Sequence, residues 1–372
     1  MKKEIVIIHP LFRGGGGENV CLNVIEALQN NFELTLVYSG KEINLEKLNH
    51  FFGTSIYDDK IKLLHVPSPN KGVILNVRLI ERYLRKKLSR YNLLFSTSSD
   101  MDFGKRGIQY VHYPRFARDN NFSLVKKIYR FFCDLVSSYS KEKMKENLTL
   151  TNSKWTAEKI KEAYNIESTV IYPPVKDDFP EVPWEEKENT FICAGRIDPG
   201  KNIERNIEII KKAREVYPEI KLYIAGIPGK KAYYNKIKKL VESNPDWVVL
   251  KGNLSKEELH SLMTRCRYGI HGMDEEHFGI VVAEMLKAGV IPFVPNGGGQ
   301  VEIVKENENL VYNSKEDAVE KIINVLQDNS LQEIVREELK EHSKNFSEKK
   351  FKEEILNTVE SFIKENENPN NI

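Results

Sequence analysis

The sequence predicts an α/β protein with two domains, each built on a parallel sheet. Short β-rich runs alternate with longer helical patterns through most of the 372 residues, as they do in βαβ units. The alternation occurs twice, and the proline-rich stretch Y-P-P-V-K-D-D-F-P-E-V-P-W at 172–184 separates the two halves. The length also exceeds the roughly 100–200 residues of one ordinary domain.

Thirteen strands are predicted, seven before the proline-rich stretch and six after it. The first seven lie at 4–8, 33–37, 62–66, 93–96, 108–111, 148–151 and 169–171. The other six lie at 190–194, 221–225, 247–250, 268–272, 291–294 and 310–312. Helical spacing connects several of them, for example at 19–30 and 202–216. Because open α/β sheets bind ligands beyond the carboxyl ends of their strands, functional residues are expected in the loops that follow strands.

The predicted domains are 1–172 and 173–346, and a final segment at 347–372 follows them. In that segment Phe351, Ile355, Val359 and Ile363 form one apolar stripe at helical spacing. The tail E-N-E-N-P-N-N-I is polar, and we predict that it is disordered.

The composition argues against several classes of protein. The chain carries 56 basic and 54 acidic residues, a balance that gives no case for a nucleic-acid partner. No window approaches the ~20 apolar residues of a membrane-spanning helix, and Glu4 interrupts the short apolar run at the N-terminus. The four cysteines are scattered, with no pair at metal-binding spacing. We therefore predict an intracellular protein in a reducing compartment.

A run of four glycines follows the first predicted strand, in H-P-L-F-R-G-G-G-G-E-N-V. Glycine lets the backbone approach a ligand closely, and the N-terminus of the helix behind the run attracts anions. The dinucleotide fingerprint does not fit, because Asn19 stands where it needs glycine, and the Gly-Lys-Ser/Thr of a P-loop is absent. The run predicts a turn that faces a phosphate or a sugar, with a flexible turn as the alternative.

Two cations flank the turn in C-A-G-R-I-D-P-G-K-N-I-E, at the end of another predicted strand. Arg196 and Lys201, held by one short loop, suit a diphosphate group. A pair of solvated surface cations is the alternative.

Two carboxylates bracket a short apolar helix in E-E-H-F-G-I-V-V-A-E-M-L-K-A-G. Glu276 precedes the helix and Glu284 lies within it. A desolvated carboxylate is costly unless it is paired or accepts hydrogen bonds, and the hydroxyl pairs of a ribose or hexose are good donors. The amides of Phe278, Gly279 and Ile280 would face an anion at the helix start. The spacing leaves open that Glu284 faces solvent and that Glu276 is a helix-start acid.

Two further stretches follow predicted strands. His112, in Q-Y-V-H-Y-P-R-F, could donate to a sugar oxygen or transfer a proton, and a structural histidine is the alternative. The stretch P-N-G-G-G-Q-V-E-I-V is a second glycine-rich loop suited to close approach. The acid pair of D-M-D at 100–102 has no third ligand in view, so no metal site is predicted.

Together these motifs resemble the retaining glycosyltransferases of family 4, which have the GT-B fold. Within the family they are most similar to the mannosyltransferases that extend lipid-linked oligosaccharides. The matching stretches follow the family's order: H-P-L-F-R-G-G-G-G-E, Y-V-H-Y-P, T-N-S-K-W-T, Y-P-P-V, G-R-I-D-P-G-K-N and E-E-H-F-G-I-V-V-A-E-M-L-K-A-G. The resemblance implies two Rossmann-like domains that face a cleft, with the C-terminal helix crossing back to the first domain.

The resemblance also implies roles for the residues at matching positions. Arg196 and Lys201 are expected to neutralise the donor diphosphate. Glu276 is expected to contact the transferred sugar and Glu284 the ribose.

In the first domain, Gly15 and Gly16 are expected beside the distal phosphate, and His112 is expected to contact the sugar. The nucleotide base is expected to lie near 252–254, at Leu254, where the backbone reads it. These residues, with the amides at 278–280, complete the predicted donor site.

The implied activity is metal-independent transfer of a sugar, with retention, to a hydroxyl of a lipid-linked or other glycan acceptor. GDP-mannose is the favoured donor, a UDP-sugar is the alternative, and no cofactor is expected because the nucleotide sugar is a substrate. A sugar-nucleotide epimerase or a binding protein of the same fold is a further alternative. An epimerase would act without any acceptor, whereas a binding protein would transfer nothing.

Two stretches of the first domain, at 76–90 and 123–141, combine basic residues with aromatic or aliphatic residues at helical spacing. A basic amphipathic helix can lie on an anionic membrane surface. Ordinary packing with a solvated basic face is the alternative. Our hypothesis is a cytoplasmic enzyme attached peripherally to the cytoplasmic leaflet.

Overall fold

The computed structural model describes residues 2–68, 73–87, 90–114 and 123–367. They divide into two compact units: the first runs up to Pro174 and resumes at Glu348, and the second comprises Val175–Ser347. The chain passes between the units at 174/175 and 347/348, whereas the sequence placed these boundaries at 172/173 and 346/347. In the tail predicted to be disordered, residues 365–367 are helical, and residues 368–372 lie outside the described residues.

The first unit contains a parallel sheet of seven strands in the order β3-β2-β1-β4-β5-β6-β7. The strands are β1 Glu4–Ile8, β2 Glu33–Tyr38, β3 Ile61–His65, β4 Leu93–Ser96, β5 Ile108–Val111, β6 Leu148–Thr151 and β7 Thr169–Val170. The described helices of this unit are α1 Gly16–Leu28, α2 Leu45–Phe52, α3 Val73–Arg85, α4 Leu124–Ser137, α5 Lys141–Lys145, α6 Lys154–Tyr164 and, at the end of the chain, α14 Glu348–Glu367.

The second unit contains a parallel sheet of six strands in the order β10-β9-β8-β11-β12-β13. The strands are β8 Glu188–Ala194, β9 Lys221–Ala225, β10 Val248–Gly252, β11 Cys266–Ile270, β12 Ile291–Pro295 and β13 Val311–Tyr312. The helices are α7 Ile203–Ala213, α8 Lys231–Glu242, α9 Lys256–Arg265, α10 Ile280–Lys287, α11 Gln300–Ile303, α12 Lys315–Gln327 and α13 Asn329–Ser343. Both sheets thus have a Rossmann-like strand order, and the predicted α/β class with its thirteen strands is confirmed.

The first sheet is buried on both faces because β1 is apolar at every position from Ile5 to Ile8. Ile5 and Ile7 pack in one core cluster, and Val6 and Ile8 pack in another. The first cluster includes Phe351, Ile355 and the rest of the predicted stripe of α14. The helix α14 therefore completes the core of the first unit, as the family resemblance implied.

A buried ion-pair network joins α3 to α4. The Arg78 guanidinium has no solvent exposure; Nη1 donates to Oε1 of Glu81 at 2.7 Å and Nε donates to Oδ1 of Asp134 at 2.7 Å. Its Cζ also lies 3.5 Å from the centroid of the Tyr139 ring. Of these contacts, the Arg78–Asp134 ion pair joins α4 to α3.

The two acids of D-M-D are also buried acceptors in the first unit. Asp102 forms an ion pair with Arg85 at 2.6 Å and accepts the Ser140 N–H at 2.7 Å. Asp100 accepts the Tyr164 hydroxyl at 2.9 Å. Both acids therefore have structural partners.

Candidate active site

The candidate site of the second unit lies at the carboxyl ends of two neighbouring strands, β8 and β11. β8 and β11 are neighbours in the sheet, although β9 and β10 lie between them along the chain. The strand order therefore reverses between β8 and β11, which makes this position a topological switch point. Switch points leave a crevice between the loops that follow the two strands. Arg196 and Lys201 follow β8, and Glu276 follows β11.

Lys201 and Glu276 are in direct contact. Lys201 ends a short 3-10 turn, Pro199–Lys201, and its Nζ donates to Oε2 of Glu276. Burial alone would raise the pKa of Glu276, but the His271 imidazole and the Lys201 ammonium outweigh burial and hold that pKa well below its usual range. Burial lowers the pKa of His271, so this ring is neutral near pH 7 and Lys201 alone balances the charge of Glu276. The structure thus pairs two of the predicted site residues.

Arg196 lies in the same loop but is more open to solvent. Its side chain is 53% exposed, and Nε lies 3.9 Å from Oδ2 of Asp198. The other oxygen of Asp198 accepts the Lys230 N–H at 3.0 Å, which fixes this carboxylate within the loop. Arg196 therefore lies exposed in the loop at the carboxyl end of β8, whereas Lys201 in the same loop forms an ion pair with Glu276.

The glycine-rich loop P-N-G-G-G-Q was predicted to approach another group closely. In the structure it approaches the backbone that precedes α10. A Cβ on Gly298, whose φ is +75°, would lie 2.2 Å from the carbonyl oxygen of Glu276. That same oxygen accepts the Gly299 N–H at 2.8 Å. Only glycine fits here, and the loop therefore serves as a support that fixes the backbone of Glu276.

The start of α10 has the geometry that the sequence predicted. Gly279 has φ +105° and ψ 56°, a conformation that favours glycine, and Ile280 is the first helical residue. The Phe278 side chain is buried against Phe346, with ring centroids 5.6 Å apart. The predicted donor contact of Phe278 therefore rests on its backbone amide.

Glu284 lies on the second turn of α10, below the surface but with part of its side chain open to solvent. Burial raises the pKa of this carboxyl to about 7; the Lys256 ammonium opposes the rise and the Asp178 carboxylate adds to it. Leu254 packs on the core cluster that contains Met285. Leu254 and Glu284 thus lie in the same region, and Glu284 is partly buried and partly exposed.

Sequence reasoning missed an aromatic pair in this region. The ring of His260, on α9, stacks on Phe179 with centroids 4.0 Å apart, and its Nδ1 lies 3.2 Å from Oδ1 of Asp178. Phe179 and Asp178 belong to the proline-rich stretch that the sequence marked only as a linker. In the sequence these two residues are marked only by the proline pair that precedes them. A proline pair gives no reason to expect a contact with a histidine on α9.

In the first unit, helix α1 begins earlier than predicted, within the glycine run. Gly15 precedes α1 and Gly16 is its first residue, whereas the helix was expected from 19. The buried Glu18 explains the early start, because its carboxylate accepts the N–H groups of Arg13 and Gly15. The protein's own acid therefore stabilises the turn that the sequence assigned to a phosphate.

His112 lies beside this glycine run. A Cβ on Gly17 would lie 3.4 Å from Nε2 of His112 and 3.7 Å from the ring of His9. Nε2 of His112 is 3.0 Å from the carbonyl oxygen of Thr97, so this nitrogen carries the hydrogen. The structure brings together the glycine run and both histidines, and sequence reasoning missed His9 although it directly follows β1.

No group of three His, Cys, Asp or Glu side chains that could hold a metal ion occurs among the described residues. In the same part of the chain, no helix is both long and apolar enough to cross a membrane.

Comparison with known proteins supports an enzymatic role for this site. The family Glycosyl transferases group 1 matches residues 174–346, which include Arg196, Lys201, Glu276 and Glu284. GDP-Man:Man(3)GlcNAc(2)-PP-Dol alpha-1,2-mannosyltransferase of Homo sapiens is 26% identical, covering 98% of this chain and 88% of its own. The chain carries a Glycosyl transferases group 1 domain. This confirms the resemblance and the enzyme class that the motifs indicated.

Two further similarities support the same assignment. Alpha-1,3/1,6-mannosyltransferase ALG2 of Mus musculus is 25% identical to this glycosyltransferase over 54% of each chain. The crystal structure of Anabaena Alr3699/HepE in complex with UDP and glucose has a TM-score of 0.71, with 14% identity, and covers 96% of this chain and 100% of its own. The glycosyltransferase therefore has the predicted GT-B fold.

Proposed function

We propose that this glycosyltransferase transfers mannose from GDP-mannose to a hydroxyl of a lipid-linked glycan, with retention and without a bound metal. The contact between Lys201 and Glu276 at the switch point carries the proposal, because it pairs a cation suited to a diphosphate with an acid suited to sugar hydroxyls. The similarity to the human enzyme supports the donor and the acceptor, since both are part of that enzyme's name.

In the proposed reaction, the bond between the anomeric carbon and the diphosphate oxygen breaks as the acceptor oxygen bonds to the same face of the sugar. Negative charge accumulates on the leaving diphosphate, and Arg196, Lys201 and the amides at the start of α10 stabilise it. The proton of the acceptor hydroxyl passes to the departing phosphate. Glu276 binds the sugar and is not a nucleophile of the glycosidase type.

A donor screen with the purified protein tests this proposal. Calorimetric titration with GDP-mannose, GDP-glucose and UDP-glucose should give the tightest binding for GDP-mannose. NMR of a transferred product should show the donor's anomeric configuration, and EDTA should leave the rate unchanged. Inversion of the anomer would contradict retention, and loss of rate in EDTA would contradict metal independence.

A UDP-sugar is the second candidate donor. The Anabaena protein whose fold matches this chain with a TM-score of 0.71 was crystallised with UDP and glucose. Tighter binding of UDP-glucose than of GDP-mannose in the same screen would replace the first proposal with this one.

Donor binding is expected to depend on pH through Glu284, the proposed ribose ligand. Its pKa of about 7 exceeds the ordinary 4.5, so below pH 7 the carboxyl is protonated and accepts ribose hydroxyls less well. GDP affinity should therefore rise with pH by up to about tenfold per unit and level off above 7. Calorimetry from pH 5.5 to 8 should show this rise for the wild type and a flat profile for Glu284→Gln.

The same shift affects stability with a definite sign. The folded state keeps a proton on Glu284 that the unfolded chain releases near pH 4.5, so the stabilising contribution is present below pH 4.5. It is lost as the pH rises through 7. Relative to Glu284→Gln, the wild type should lose about 1–3 kcal/mol of unfolding free energy between pH 4.5 and 7. An unchanged difference across this range would contradict the assigned protonation.

We further propose that α4 attaches the enzyme to an anionic membrane. The structure separates the two basic stretches that the sequence could not distinguish. In α3 the apolar residues Val77, Ile80 and Leu84 are buried in the core, so ordinary packing explains that stretch. In α4 seven large apolar side chains are exposed: Leu124, Val125, Ile128, Tyr129, Phe131, Phe132 and Leu135.

Two features favour a bilayer as the occupant of this α4 apolar face. An exposed apolar surface of this size on one short helix is unusual for a monomer and marks an interaction site. The sequence of the helix is also net basic, since Arg130 pairs with its single acid, Asp134, and exposed Lys127 lies on the same helix, which suits anionic lipid headgroups. The proposed setting is the cytoplasmic leaflet, and the four free, buried cysteines are compatible with a reducing compartment.

Vesicle flotation tests this attachment. Wild-type protein should float with phosphatidylglycerol-containing vesicles, and replacing Phe131 and Phe132 with serine should weaken binding at least about tenfold. Phe51→Ser is the matched control, because Phe51 on α2 is 63% exposed and lies outside the α4 apolar face. Equal binding of wild type and the double variant would contradict the proposal. A concentration-dependent dimer lost in the double variant would assign this face to a second copy.

A further inference from the structure

The buried histidine His271 is not explained by the proposed roles of the site residues. It directly follows β11, and its backbone is fixed on both sides. Its N–H donates to the carbonyl oxygen of Phe293 at 2.9 Å, and its own carbonyl oxygen accepts the Tyr312 hydroxyl at 2.6 Å. The side chain is only 4% exposed, so the ring has a defined position.

The His271 ring is aimed at the proposed sugar ligand. Nε2 of His271 lies 3.4 Å from Oε2 of Glu276, and it forms no well-aligned hydrogen bond in the described structure. A buried ring nitrogen in this state is costly, and such atoms call for a functional explanation. Contacts of this kind are often long in a ligand-free site and shorten when substrate binds.

The protonation state of His271 suits a donor and not a counter-ion. Burial lowers its pKa, so the ring is neutral near pH 7 and one nitrogen carries a hydrogen. A neutral N–H donor orients a carboxylate without cancelling its charge. Both Lys201 and His271 approach the same oxygen, Oε2, which leaves Oε1 of Glu276 for a sugar hydroxyl.

We propose that His271 is a positioning residue that acts through Glu276 on the transferred sugar. When the donor binds, the Nε2–H of His271 closes on Oε2 and sets the direction of Oε1, while the Gly298 loop holds the backbone. The inference rests on the proposed function, since it assigns the sugar of the donor to Glu276. His271 therefore affects recognition of the sugar and has no direct contact with the nucleotide.

Two substitutions separate this role from simple packing. His271→Phe keeps an aromatic ring and removes the N–H, whereas His271→Gln keeps an amide N–H near the position of Nε2. In calorimetry, His271→Phe should bind GDP-mannose about tenfold more weakly and GDP as tightly as the wild type does. His271→Gln should recover most of this loss. His342→Ala, on α13, is the control, because His342 is a histidine of the same unit whose Nε2 lies 3.0 Å from the carbonyl oxygen of Glu302, outside the proposed site.

A double substitution tests whether His271 acts through Glu276. Glu276→Ala should weaken GDP-mannose binding, and adding His271→Phe should cause no further loss. Equal losses for GDP and GDP-mannose in His271→Phe would indicate a packing role and overturn the inference, as would independent losses from the two substitutions. An unaffected GDP-mannose affinity in His271→Phe would also overturn it.

Failure of the proposed function has a different outcome. If the wild type binds no GDP-mannose, the proposed donor is wrong. The role of His271 is then tested by the Tm of the variants measured without ligand. The Tm losses of His271→Phe and Glu276→Gln should be non-additive in the double variant, because the two side chains act as a pair. Additive losses would overturn the role of His271 by themselves.

Discussion

Lys201→Ala is expected to weaken GDP-mannose binding by about 10- to 150-fold. The substitution removes one charged hydrogen bond to the diphosphate, which is worth roughly 1.5–3 kcal/mol. It also leaves Glu276 beside a neutral histidine as its only described partner, so the carboxylate loses its charge balance. Calorimetry with GDP and GDP-mannose measures the first effect, and the rate of transfer at saturating donor measures the second.

Arg196→Ala makes the comparison sharper. Arg196 contacts no part of Glu276 in the described structure, so this variant should lose affinity for GDP and GDP-mannose equally, whereas Lys201→Ala should lose more for GDP-mannose. Lys236→Ala is the matched control, because Lys236 is an exposed lysine of the same unit paired with Glu204. If Arg196→Ala and Lys201→Ala both leave donor binding unchanged, the diphosphate assignment is wrong.

Arg78→Met is expected to lower the unfolding free energy of the first unit by about 3–5 kcal/mol. The Arg78 guanidinium and the Glu81 carboxylate are both fully buried, and Asp134 shares the network. Removing one partner of a buried pair leaves an uncompensated charge, which costs far more than the intact pair contributes. Urea denaturation followed by the fluorescence of Trp155 reports on this unit, with Trp184 and Trp247 replaced by Phe.

A second substitution should restore much of the lost stability. Glu81→Leu in the Arg78→Met background removes the orphaned charge and fills its space with apolar volume. Lys62→Ala is the control, since Lys62 forms an exposed ion pair with Glu33 and should change stability by less than about 1 kcal/mol. A loss below 1 kcal/mol in Arg78→Met would contradict the importance of the network.

The fold was largely predictable because each strand is a short β-rich run with clear boundaries. The burial of individual helices was not predictable. The stretches at 76–90 and 123–141 show the same mixture of basic and apolar residues, yet Val77 is fully buried and Val125 is 76% exposed. Helical periodicity identifies an apolar face, but the face is buried only if another element covers it.

The residues of the site were predictable, but the contacts between them were not. Lys201 and Glu276 are 75 residues apart, and their contact depends on β8 and β11 being neighbours in the sheet. His271 was missed because the predicted strand ran to Gly272, whereas β11 ends at Ile270 and releases the histidine into the loop. The Gly298 loop was correctly predicted to make a close approach. The group it approaches is the backbone of Glu276, and a backbone contact cannot be identified from residue types.

The packing of α14 has a consequence for how the chain folds during synthesis. Translation completes the second unit at Ser347, when the core of the first unit still lacks Phe351, Ile355 and Val359. The core of the first unit is therefore completed only after the second unit has been made, and part of one apolar face of its sheet lacks its cover until then. Such a face is open to misassembly and to chaperones until α14 emerges.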